Sequence, residues 1–199
     1  MGRLGLIIIF LFIGIISCAP LPLLIDDRLS YSTYRAIKNE FGRHEKINLE
    51  IDKNTENLVI LQRPSGFIAG GVTFSMAIGK TFSAYLYQMN EAVFIETCVN
   101  CLDVKVKIVN CKIVFYSSAL SMIASRRVID NFEMNINIEV SYIKDTDLIA
   151  IKKYNYIVKK ELNLSETDAA HEDTAIIFVI ENIVKRLVQD IIKEQDINN

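Results

Sequence analysis

The sequence predicts an α+β fold, a two-layer sandwich in which two amphipathic helices cover an antiparallel sheet of about four to six strands. Long segments alternate apolar and polar residues, which is the pattern of strands with one buried face, and 132–142 is the clearest of them. Two other segments, 72–91 and one near the C-terminus, repeat apolar residues every three or four positions, as amphipathic helices do. A chain of 199 residues is long enough for one domain with a substantial core.

The first predicted elements are short. Apolar residues at intervals of three or four predict a helix over Tyr31–Phe41. The alternating run 47–51 predicts a strand, and 58–61 predicts a second strand after the polar turn 52–57. These elements would lead the chain from its N-terminal segment into the sheet.

The first long helix is predicted within 72–91, where the apolar period becomes helical. Thr73 or Ser75 is expected to cap its N-terminus, because a hydroxyl can accept a hydrogen bond from a free backbone N–H there. The apolar side chains that share one face are Phe74, Ile78, Phe82, Tyr85 and Met89. This face is expected to pack on the sheet.

Long strands follow this helix. The run 104–108 places valine and isoleucine on one face, and its apolar phase slips near Asn110, which predicts a β-bulge. The strand 132–142 alternates without error, and 145–147 has the composition of a hairpin turn. The return strand 148–162 carries four lysines, which suit a solvated face or a protected sheet edge.

The last predicted element is a helix that begins near Ser165, where several side chains can cap it. Acidic residues lie early in this helix and basic residues lie late, which suits the helix dipole. Its apolar stripe consists of Ile176, Ile180, Ile183, Val184, Leu187, Val188 and Ile191. This helix would complete the layer that covers the sheet.

The N-terminal segment has the pattern of an export signal. Residues 4–16 are almost wholly apolar and follow Arg3, and this run is shorter than the roughly 20 residues that a membrane span needs. Residues 15–18, Ile-Ile-Ser-Cys, resemble the lipobox of bacterial lipoproteins. The resemblance implies cleavage after Ser17 and attachment of lipid to the Cys18 thiol.

Two alternatives stay open for this segment, an uncleaved anchor helix and a cleaved signal with an incidental cysteine. Pro20 and Pro22 argue against a long helix through this region, because each removes a backbone hydrogen bond. The expected organisation is a signal peptide over 1–17, a lipidated tether and entry segment over 18–45, and a single α+β domain over 46–199.

The remaining cysteines favour a structural role. If Cys18 is lipidated, Cys98, Cys101 and Cys111 form at most one intrachain disulfide. A local Cys98–Cys101 bridge, a bridge from one of them to Cys111, and free buried thiols all stay open. A redox site would need its first cysteine at a helix N-terminus, whereas 104–108 is strand-like.

No catalytic residue, metal site or cofactor is expected. The two histidines, His44 and His171, are far apart and lie in polar surroundings, which is typical of surface residues. Residues 78–81, Ile-Gly-Lys-Thr, lack the upstream glycine of a phosphate-binding loop and lie within the helical period. The net charge of −2 offers no basic surface for nucleic acid.

The segment 63–71 contains three glycines and the apolar residues Phe67 and Ile68. Such a loop is a candidate for binding a partner or lipid. The alternative is that the two apolar side chains close one end of the core.

The order of predicted elements resembles that of small bacterial envelope lipoproteins. These include the lipopolysaccharide-assembly lipoprotein that partners an outer-membrane barrel and the auxiliary lipoproteins of lipid-transporting ABC systems. The resemblance implies a non-enzymatic accessory or assembly component of an envelope transport complex. Its expected partners are the membrane, through the lipid on Cys18, and an outer-membrane or transporter protein.

Ala19 follows the lipid site, and the absence of aspartate there favours the periplasmic side of the outer membrane in diderm bacteria. Two other functions stay open. One is a surface lipoprotein that binds a ligand or host factor through 63–71. The other is an envelope thiol-redox protein that uses Cys98 and Cys101.

Overall fold

The computed structural model describes residues 20–63, 65, 73–97, 101–116, 131–161 and 174–198. Their fold is α+β, as predicted. The strands are β1 (Leu21–Leu23), β2 (His44–Glu45), β3 (Ile47–Ile51), β4 (Ile60–Gln62), β5 (Phe74–Met76), β6 (Phe94–Glu96), β7 (Leu102–Tyr116), β8 (Asn131–Lys144) and β9 (Asp147–Glu161). The helices are α1 (Tyr31–Phe41), α2 (Lys53–Glu56), α3 (Ile78–Val93) and α4 (Thr174–Asn198).

The largest sheet has the order β3-β7-β8-β9. The predicted alternation of β8 is confirmed, because every second side chain from Phe132 to Tyr142 is buried. The prediction of a purely antiparallel sheet is wrong, since β3 pairs with β7 in parallel. The chain between them crosses through α2 and α3, so β7 enters the sheet in the same direction as β3.

The predicted bulge and turn are both confirmed. The pairing of β7 with β8 shifts register between Ile108 and Asn110. Asp145 and Thr146 join β8 to β9 with φ angles of 51° and 76°. Positive φ at both central residues is the geometry that matches a two-residue hairpin to the twist of its strands.

Two smaller sheets, β1-β5-β4 and β2-β6, accompany the large one. Phe74 was predicted on the first long helix, but it lies in β5, and the helix begins only at Ile78. The predicted caps Thr73 and Ser75 are therefore wrong, and Ala77 precedes the helix without a side-chain cap. Within the predicted turn 52–57, the one-turn helix α2 forms instead.

The helices bury the faces that their sequences predict. Helix α1 has the predicted bounds, and the Ser30 hydroxyl oxygen accepts a hydrogen bond from Thr33 N at its N-terminus. The predicted stripe of α4 is fully buried from Ile176 to Ile191. Helix α4 packs on β8 and β9, while α3 packs on α1 and α4. Three helices therefore pack together, where two were predicted.

The C-terminal helix is tied to the sheet by polar contacts as well as by its apolar stripe. The Tyr156 hydroxyl donates a hydrogen bond to Asp190 across 2.7 Å, and Lys152 pairs with Glu194 at 3.3 Å. The predicted start of this helix near Ser165 lies outside the described residues. Within the ranges that the structure describes, no helix combines the length and apolarity that crossing a bilayer would need.

Candidate functional site

The chain enters the fold very close to the predicted lipid site. Cys18 itself lies outside the described residues, and β1 begins at Leu21. The backbone N–H of Leu21 donates to the Thr73 carbonyl across 2.8 Å, and β1 then pairs with β5 in parallel. The next inward side chains, Leu23 and Met76, are buried. The fold therefore holds the chain from Leu21 onward, and only Ala19 and Pro20 separate β1 from Cys18.

The residues that flank the predicted partner loop lie at this same end of the fold. Arg63 Nε donates to the Thr73 hydroxyl across 3.2 Å, and Ser65 N donates to the Phe115 carbonyl across 2.8 Å. The rings of Phe74 and Phe115 meet edge to face, with centroids 5.8 Å apart. The chain entry, both flanks of the 63–71 segment and the end of β7 thus converge. Phe67 and Ile68 lie outside the described residues.

The cysteines occupy different chemical environments. Cys101 is in a disulfide, whereas Cys111 is a free, half-buried thiol in β7. Cys98 lies outside the described residues. The bridge of Cys101 does not involve Cys111, and burial raises the pKa of the Cys111 thiol to about 12. Cys101 is followed directly by the strand β7, whereas a redox cysteine of the expected type would lie at a helix N-terminus.

A cleft of about 380 Å³ lies between the segment that precedes α1 and the beginning of α4, and its walls include Leu29 and Phe178. A second cavity of about 240 Å³ borders Thr33 and shares Phe178 with the first. Glu181 lies where the two cavities meet. No local motif in the sequence marked this region, because the cleft forms only when residues 26–30 meet the beginning of α4, which is distant in sequence.

Glu181 is the most unusual side chain of this cleft. Its Oε2 accepts a hydrogen bond from the Thr33 hydroxyl across 3.1 Å, while its Oε1 is buried and has no hydrogen-bond partner among the described residues. Burial raises the pKa of this carboxyl, although Thr33 and the backbone of Ser30 act in the opposite direction. Such a group can hold a proton or accept a hydrogen bond from a ligand.

The other residues considered for catalysis or metal binding make structural contacts where the structure describes them. His44 was expected to be a solvated surface residue, but it lies half-buried in β2, its Nε2 2.8 Å from the Phe41 carbonyl oxygen and its ring tilted against Phe94. His171 lies outside the described residues. Gly79 and Thr81 lie in the first turn of α3, with Thr81 buried. Within the described ranges, no group of three His, Cys, Asp or Glu side chains could hold a metal ion.

No family model matches this chain, and no curated protein is similar to it in sequence. A crystal structure of protein XCC0632 from Xanthomonas campestris, of the family DUF330, is similar to it with a TM-score of 0.48 and 10% sequence identity. The similarity covers 92% of this chain and 100% of that one. It is a likeness between two structures, and it assigns no function to this chain.

Proposed function

We propose that this chain is a non-enzymatic lipoprotein of the bacterial cell envelope, anchored by lipid on Cys18, that serves as an accessory or assembly component of an envelope transport complex. In this proposal the folded domain is a two-layer arrangement of sheet and helices. The lipid is inserted in the outer membrane, and the domain lies on the periplasmic side. The observation that carries the proposal is the lipobox-like sequence at residues 15–18, followed almost immediately by the folded strand β1.

The entry geometry supports a lipid anchor over an anchor helix. A helix continuing from residue 4 would have to include Pro20 and Pro22, but Leu21–Leu23 is a strand paired with β5. A lipidated cysteine needs no further helical length, since the acyl chains themselves enter the bilayer. Each buried CH₂ contributes about 0.8 kcal/mol, so two or three acyl chains hold a protein at the membrane stably.

In this proposal the domain is a scaffold held at the membrane by its lipid. Tyr156 and Cys111, whose pKa values burial raises, pack against the core, whereas Glu181 faces the cleft. The thiol-redox alternative gains nothing from the environment of Cys101, which leads into a strand. Partner binding at the end of the fold near residues 63–71 stays compatible with the scaffold role.

The anchor is tested by comparing the wild-type chain with Cys18→Ala, using intact mass and membrane fractionation. We expect a wild-type chain that begins at Cys18 with the mass of attached lipid, found in the membrane fraction, and a variant without either property. Cys111→Ser is the matched control, because it removes a thiol but leaves the lipid site. An unmodified wild-type chain would overturn the anchor.

The accessory role is tested by purification of the lipidated chain from membranes in mild detergent. We expect a membrane-embedded barrel or transporter to be identified by mass spectrometry at near-equal amounts with the wild type. A monomer that carries no such protein after gentle extraction and chemical crosslinking would contradict the accessory role, while leaving the lipid anchor intact.

A further inference from the structure

The short connection between the lipid site and β1 restricts which part of the domain meets the bilayer. Three residue steps separate Cys18 from Leu21, and an extended chain spans at most about 11 Å over that length. The fold fixes the backbone at Leu21, because the Leu21 N–H donates a hydrogen bond to the Thr73 carbonyl across 2.8 Å. A lipid on Cys18 would therefore hold Leu21 within or just above the headgroup region, whose depth is roughly 5–8 Å on each side.

Several chain segments end beside Leu21. In the sheet β1-β5-β4, Leu21 is paired with Phe74, and Phe74 is paired with Gln62. The Ser65–Phe115 hydrogen bond joins this sheet to the end of β7. Tyr116, the last residue of β7, is paired with Asn131. One end of both sheets is thus gathered around the point where the chain enters.

Three of the described side chains at this end suit the polar–apolar boundary of a bilayer, and the exposed Lys159–Glu161 ion pair lies at the same end. Leu21 is 51% exposed and Tyr116 is 45% exposed, although both are large apolar side chains. A tyrosine ring has an apolar body and a polar hydroxyl, which is why it is enriched at membrane interfaces. Arg63 can lay its aliphatic stem on apolar groups while its guanidinium stays among phosphates.

The opposite end of the large sheet is far away. Strand β8 has 14 residues and runs from Asn131 to Lys144. At about 3.4 Å per residue, the hairpin tip at Asp145 lies roughly 45 Å from the entry end. The solvent-facing side of the sheet carries the ion pairs Lys105–Glu50 and Lys153–Glu139, with N–O distances of 2.9 and 3.8 Å. These ionised groups disfavour laying the sheet flat on the bilayer.

We propose that the end of the fold formed by Leu21, Arg63 and Tyr116 rests in the headgroup region of the membrane, with the hairpin tip at Asp145–Thr146 directed away from it. This inference rests on the proposed lipid on Cys18, and it adds the orientation of the domain. The hairpin end and the solvent-facing side of the sheet then remain in reach of a soluble or membrane-embedded partner.

The absence of tryptophan from the sequence provides a direct test. Tyr116→Trp places a single indole at the proposed membrane end, and Leu148→Trp places one beside the hairpin, at a side chain that is 57% exposed. Both lipidated variants are reconstituted in liposomes of phosphatidylethanolamine and phosphatidylglycerol that carry a headgroup nitroxide. Intact mass verifies the lipid on each chain, and circular dichroism verifies the fold.

We expect the nitroxide to lower the fluorescence of the Tyr116→Trp variant about twofold or more, because its indole would lie within the headgroup layer. The Leu148→Trp variant should keep its fluorescence, since its indole would lie tens of ångströms away. If Tyr116→Trp does not fold, Leu21→Trp replaces it with the same expectation.

Equal quenching of both lipidated variants, or stronger quenching of Leu148→Trp, would overturn the orientation and leave the lipid anchor standing. Chains that carry no lipid by intact mass would overturn the anchor, and the orientation with it. The two failures are therefore distinguished within one experiment.

Discussion

The hydroxyl oxygen of Thr55 accepts a hydrogen bond from the backbone N–H of Ile108 across 2.8 Å. Strand β3 ends at Ile51, opposite Val106, and among the described residues no strand pairs with β7 on that side beyond this point. The one-turn helix α2 places Thr55, which is 1% exposed, beside β7 just beyond the end of β3. A threonine side chain thus continues the hydrogen bonding of β7 at the residue where its bulge begins.

Thr55→Val is expected to destabilise the fold by about 1–3 kcal/mol, because it leaves the Ile108 N–H buried without a partner while preserving shape. The measurement is urea unfolding, with a lower midpoint and an unchanged slope. Thr55→Ser, which keeps the hydroxyl, is the control and should lose less stability. A valine variant as stable as the wild type would show that this hydrogen bond contributes nothing.

Gly79 shows a second close approach at α2. A Cβ added to Gly79 would overlap the carbonyl oxygen of Thr55 and lie 2.7 Å from Leu58 N, both of them backbone atoms. The Gly79 N–H also donates to the Leu58 carbonyl across 3.0 Å. The glycine of the Ile-Gly-Lys-Thr sequence therefore allows α3 to pack closely against α2.

Gly79→Ala is expected to cost about 1–3 kcal/mol or more, because backbone atoms have to move apart to accept the methyl group. Thermal and urea unfolding both measure the loss. Lys80→Ala, at the neighbouring exposed position, is the control, since its ion pair with Asp27 is a surface contact. Equal stability of the two variants would contradict tight packing at Gly79.

The sequence predicted elements whose evidence is local. The strand 132–142 and the stripe of α4 carry their own periodicity, and the bulge near Asn110 appears as a phase slip. The position of Phe74 could not be predicted in this way. It fits the helical spacing with Ile78, but its backbone lies in β5, where it pairs with Gln62 and with Leu21, the latter distant in sequence. The parallel pairing of β3 with β7 depends on equally distant contacts.

The candidate site residues also differ in whether the evidence for them is local in sequence. Cys18 was predicted from a local motif and lies outside the described residues. Glu181 was missed because Thr33 and Ser30, which face it, lie about 150 residues away along the chain. The available signal was an acid directly beside the buried Ile180 on an apolar helix. Such an acid is ordinarily solvated, and only the position of α1 beside α4 buries it.

Glu181 is expected to make stability fall as pH rises. Burial raises the pKa of its carboxyl in the folded protein above that of the unfolded chain. The folded state therefore binds this proton more tightly, so its contribution to stability is complete below the unfolded pKa and is lost as pH rises through the folded pKa. Glu181→Gln cannot ionise and should remove this loss.

Urea midpoints of wild type and Glu181→Gln at pH 4 and pH 7 provide the measurement. The variant's stability relative to the wild type should be higher at pH 7 than at pH 4. Glu91→Gln, which changes an exposed carboxylate, is the control. Its stability relative to the wild type should differ little between the two pH values. A relative stability of Glu181→Gln that does not depend on pH would exclude a perturbed carboxyl at this position.

Cys111 is expected to resist alkylation in the folded protein, which bears on any thiol chemistry of the chain. Burial raises its pKa to about 12, so at pH 8 its reactive thiolate fraction is about 10³-fold below that of an ordinary cysteine. Iodoacetamide treatment followed by trypsin and mass spectrometry reports this site through the peptide 108–112. We expect little modification in native buffer and complete modification in urea, where the same peptide serves as its own control. Rapid native alkylation would show that β7 opens at Cys111 or that its thiol is activated.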